Sequence, residues 1–62
     1  SSKATRNKLQ AISSKIGEKL HISVNESKST LPFIAKMLEH NPDIQEQLEL
    51  DDDEVEFIED FN

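Results

Sequence analysis

Two histidines, His21 and His40, are the only side chains of this 62-residue sequence that ordinarily titrate near neutrality. Any acid–base chemistry at physiological pH would therefore run through them. Their positions suit another duty. Each falls close to the C-terminal end of a predicted helix, where an imidazolium complements the helix dipole. Serines are plentiful, Ser13, Ser14, Ser23, Ser27 and Ser29 among them, yet no nucleophile motif surrounds any of these. A catalytic triad also needs an enclosed pocket that so short a chain can hardly build. The single glycine, Gly17, leaves no phosphate-cradling loop. The expectation is a protein that is not an enzyme.

The run Asp51-Asp52-Asp53-Glu54 invites comparison with a calcium loop closed by Glu59. The spacing fails that comparison. Leu48 and Leu50 stand where oxygen ligands are required, and Asp53 stands where the sharp turn needs glycine. With no cysteine there is neither a disulfide nor a Cys-based zinc site. No metal and no cofactor are expected.

Charge is divided end to end. Residues 1–28 carry six cations against two acids, a balance of +4, while residues 29–62 carry Lys36 against eleven acids, a balance of −10. Two such halves attract each other, within one chain or between two antiparallel chains, and the surplus acid asks for a basic partner or water. Lys3, Arg6, Lys8, Lys15 and Lys19 could meet nucleic-acid phosphate. The chain lacks Trp and Tyr for stacking, however, and its acidic half repels a duplex. Nucleic-acid binding through the basic first helix is thus the alternative function, together with an acidic inhibitor that imitates nucleic acid.

The elements that must position these groups are helical. Leu9, Ile12, Ile16 and Leu20 recur at three- and four-residue spacing and predict an amphipathic helix over 3–20, capped by Ser1 or Ser2. Gly17 inside it marks either a close helix contact or an early end. Alternation of Leu20, Ile22 and Val24 allows a short extended piece. Residues 25–30 read as a polar connector, and a second helix is expected from Pro32 to residue 40 on the stripe Phe33, Ile34, Met37 and Leu38. Asn41 and Pro42 stop that helix and open a third, over 42–50, which buries Ile44, Leu48 and Leu50. Residues 51–62 form an acidic segment carrying Phe57, Ile58 and Phe61, either a fourth short helix or a stretch that orders on contact.

These features predict an all-α protein, a small three-helix bundle over 1–50 with a separate acidic-hydrophobic segment at 51–62. A domain of this length buries only about 60% of its unfolded surface, and no staple is present, so self-association as a homodimer is expected to supplement stability. The chain opens on Ser, as a piece of a longer protein would, and no run of apolar residues is long enough to span a membrane. Lack of cysteine suits an intracellular, reducing setting. The expected function is a protein–protein interaction module. An apolar face of Leu9, Ile12, Ile16, Phe33, Met37 and Leu38 would meet a partner, and Phe57, Ile58 and Phe61 would supply a linear binding element for a basic or apolar-grooved surface.

Overall fold

A computed structural model describes residues 2–61. Four helices follow in order: α1 (Lys3–Leu20), α2 (Val24–His40), α3 (Asp43–Gln47) and α4 (Asp52–Phe61). No strand occurs among the described residues. The all-α expectation holds, and the possible fourth helix is formed. α1, α3 and α4 each pack against α2, which makes α2 the central element of a bundle measuring 30 × 23 × 17 Å.

α1 starts where expected. Ser2 Oγ accepts from the Thr5 N–H at 3.1 Å and satisfies one of the free donors of the first turn. The helix ends at His21, which adopts the left-handed region at φ 59°. The N–H groups of His21 and Ile22 both donate to Gly17 O, tying off the final turn. No extended piece follows, because Ser23 already caps the next helix.

That cap corrects the expected start of α2. Helical structure begins eight residues before Pro32, and the segment 25–30 is helix rather than connector. Ser23 Oγ accepts from the Glu26 N–H (3.1 Å) while Glu26 Oε1 accepts from the Ser23 N–H (3.0 Å), a reciprocal capping box. Ser27, Ser29 and Thr30 then turn their hydroxyls back onto carbonyls three or four residues earlier, so their polarity is absorbed within the helix. Pro32 sits inside α2 and deprives the Lys28 carbonyl of its usual donor.

The α1–α2 contact is close at Gly17. A Cβ there would lie 2.7 Å from Ile22 O and 2.8 Å from Ser27 Oγ, which decides between the two meanings of this glycine in favour of a helix contact. Because the chain crosses at Gly17, Leu20 falls outside the contact and remains exposed, a correction to its place on the expected stripe.

The third helix is shorter than expected. Asn41 leaves the helical region, and its Oδ1 accepts from the Asp43 N–H at 3.1 Å. After Gln47 the chain turns through Glu49 at φ 57°. Leu50 N–H donates to Gln45 O and Glu49 N–H donates to Glu46 O, the paired bonds of a Schellman ending. This turn lets Leu48 and Leu50 both face inward. The Gln45 side-chain amide donates to Leu50 O (3.1 Å) and Asp52 Oδ1 (2.8 Å) and so links α3 to the start of α4.

The core is Ile12, Ile16, Leu31, Ile34, Leu38, Leu48, Leu50 and Ile58, with Leu9, Ala35, Ile44, Val55 and Phe57 packed around it. Residues 51–61 share it through Ile58, which is fully buried.

Candidate interaction surface

Electrostatics decide first which surfaces are already occupied. Lys15 Nζ donates to Glu54 Oε1 at 2.9 Å, and Lys19 pairs with Glu49. Lys8 Nζ lies 5.6 Å from the centre of the Phe57 ring, over its face. The basic half of the sequence therefore folds back on the acidic half of the same chain. The hydrogen bond to Glu54 holds the Lys15 ammonium above its ordinary value of 10.5. Glu49 is held below the ordinary carboxylate value of 4.5 by its hydrogen bond from Lys19, and Glu26 by the N–H and hydroxyl of Ser23. On the outside remain Asp43, Glu46, Asp52, Asp53, Glu56, Glu59 and Asp60, all exposed.

Glu54 has a double duty. Its Oε1 also accepts from the Asp51 N–H (2.9 Å), and Asp51 Oδ1 accepts from the Glu54 N–H (2.8 Å). One carboxylate oxygen thus closes the cap of α4 and receives Lys15 from α1.

The nine residues expected at a partner surface are divided by the fold. Ile12, Ile16, Leu38 and Ile58 are buried in the core and cannot meet a partner without unfolding the chain, which corrects their place on the expected face. Leu9 and Phe57 are half-buried against that core. Phe61 is exposed and stacks on Phe57 with ring centres 5.6 Å apart. Phe33 and Met37 point outward, 68% and 48% exposed, so the stripe read over 33–38 splits into inner and outer halves.

The split follows from the true start of α2. With Val24 as the first helical residue, Ser27, Leu31, Ile34 and Leu38 are its buried residues, at spacings of four, three and four. Shifted by one residue lies a second stripe, Glu26, Thr30, Phe33, Met37 and His40, on the neighbouring face. α3 extends this stripe with Ile44. Met37, His40, Asn41, Ile44 and Lys36 line a shallow, mainly apolar hollow of about 270 Å³. On the other side of Lys36 a larger hollow of about 470 Å³ is lined by Pro32, Ala35, Glu39 and Glu59.

Reading residues 25–30 as connector concealed the outer stripe, and with it the places of Glu26 and Thr30. Among the described residues no three of His, Asp and Glu stand together as a metal site, and no helix is long and apolar enough to cross a membrane. No family model matches the chain, and neither does a curated protein or a solved structure.

Proposed function

We propose that this chain is a protein–protein interaction module whose docking surface is the outer stripe of α2. The exposure of Phe33 carries the reading. A phenylalanine 68% open to water, one turn from a half-open methionine, beside a hollow floored by Met37 and Ile44, is apolar surface that the core has no use for. An apolar helix laid along α2 would cover it by the helix-in-groove mode. The exposed acids of α3 and α4 would act on approach and orientation more than on affinity. Two of the cations that could have met nucleic-acid phosphate, Lys15 and Lys19, are engaged by Glu54 and Glu49.

Selection of binders from a displayed library of amphipathic helical peptides tests this reading. A selected peptide titrated into isotope-labelled chain is expected to shift the amides of Phe33, Lys36, Met37, His40 and Ile44, and to lose binding on Phe33→Ser. Peptides that map to α1 or α4, or a library that yields no binder, overturn it.

A further inference from the structure

The outer stripe of α2 has an internal symmetry. Glu26, Phe33 and His40 follow one another at intervals of seven residues, so all three share one line along the helix, with Phe33 midway between an acid and a histidine. Thr30 and Met37 fill the intervening positions. The pattern 26, 30, 33, 37, 40, with Ile44 beyond it, has the alternating four- and three-residue step of a coiled-coil seam. Every member is exposed or half-exposed in the single chain.

We infer that this seam is covered by a second copy of the chain, with the two α2 helices antiparallel about a two-fold axis at Phe33. The inference rests on the reading of the α2 face as a docking surface and names its occupant. Under that symmetry Phe33 meets Phe33 of the other copy, and Glu26 of each chain meets His40 of its mate. Glu26 spends Oε1 on the Ser23 N–H, which leaves its second oxygen to accept from the imidazole. Like charges are kept apart, because Lys36 falls opposite Thr30 and Met37 opposite Ser29. A parallel pairing would set Glu26 against Glu26 and His40 against His40, so charge selects the antiparallel form. A closed two-fold pair needs only one self-complementary patch, and the line Glu26, Phe33, His40 is one. Its area is that of a few helical turns, below the size of a permanent interface, so the dimer is weak and depends on concentration.

Sedimentation equilibrium on the intact chain, from low micromolar to millimolar concentration, tests the inference. The mass is expected to rise from 7.1 kDa towards twice that value, with a dissociation constant in the high micromolar range. Phe33→Ser is expected to hold the mass at the monomer value, and a circular dichroism melt of this exposed-site variant verifies that it remains folded. His40→Lys, which sets an ammonium opposite Glu26, is expected to tighten association about threefold, and His40→Glu to weaken it by a similar factor. A chain that stays monomeric at millimolar concentration overturns the second copy as occupant. The α2-face reading is then still judged separately, by where helical peptides bind. Association that survives Phe33→Ser overturns the seam, and His40 variants of reversed sign overturn the antiparallel arrangement.

Discussion

Single atoms explain several choices along this chain. Ser13 is fully buried, and its hydroxyl has no hydrogen-bond partner among the described residues. A buried, unsatisfied hydroxyl costs about 1–3 kcal/mol, so Ser13→Ala is expected to leave stability equal or higher, by up to about 1 kcal/mol, as read from the denaturant midpoint. Gly17 behaves in the opposite way. The atoms that crowd its missing Cβ include the backbone oxygen of Ile22, which cannot swing aside. Gly17→Ala is expected to destabilise by about 1–3 kcal/mol, although alanine is the better helix former. His21 occupies the left-handed region at the end of α1, where a side chain costs about 1 kcal/mol. His21→Gly is therefore expected to raise the melting temperature, and an unchanged melt would show that imidazole contacts compensate the strain. Of these three sites, the glycine and the place of His21 at the helix end were legible in the sequence. The burial of Ser13 follows from where α2 crosses α1, which spacing within α1 cannot reveal.

At the scale of elements, the helix over 3–20 and the break at Asn41-Pro42 were legible because each carries its own local signals, an apolar period in one case and a stop-and-start dipeptide in the other. The beginning of α2 was hidden by three hydroxyl residues that look like a loop. Ser23 and Glu26 start the helix with a capping box, and the three hydroxyls are satisfied within it by bonding back to carbonyls. Pro32, read as a start signal, sits nine positions after Ser23, well inside α2. Its missing donor makes Pro32→Ala a stabilising change of up to about 3 kcal/mol, measurable by chemical denaturation; a destabilised variant would mean that the pyrrolidine ring contributes packing that outweighs the lost bond. α4 is held by Ile58, a fully buried side chain. Ile58→Ala is expected to cost about 2–5 kcal/mol, whereas Phe61→Ala, at an exposed position, should cost far less. Comparable melts for the two variants would contradict the burial described for α4. The acidic run that precedes Ile58 left open whether this segment forms a helix or orders on contact, since charge density suggests solvent and only the returning chain supplies the apolar face that Ile58 needs.

For the whole molecule, the opposed charge of the two halves was the clearest message of the sequence, and the fold answers it internally through Lys15–Glu54 and Lys19–Glu49. Stability should follow pH accordingly. Glu26 and Glu49 have lowered values in the folded chain, so their contribution is present above the ordinary carboxylate value of 4.5 and is lost as pH falls through the depressed folded values. Lys15 is raised, so its contribution is present below 10.5 and disappears as pH climbs through the elevated folded value. A plot of melting temperature against pH should show a plateau between these limits with a fall on each side. An alkaline shoulder that persists in Lys15→Met would remove Lys15 as its cause. Salt should act in two directions, weakening the internal pairs while screening the repulsion between two chains that each carry −6.

The shared oxygen of Glu54 has a kinetic consequence. Winding the first turn of α4 and tying that turn to α1 through Lys15 use the same acceptor, although Lys15 stands thirty-nine residues earlier in the chain. Local nucleation and long-range closure are thereby fastened to a single event. Amide protons at the start of α4 should then exchange with solvent in step with those around Lys15, rather than fraying early as a terminal helix usually does.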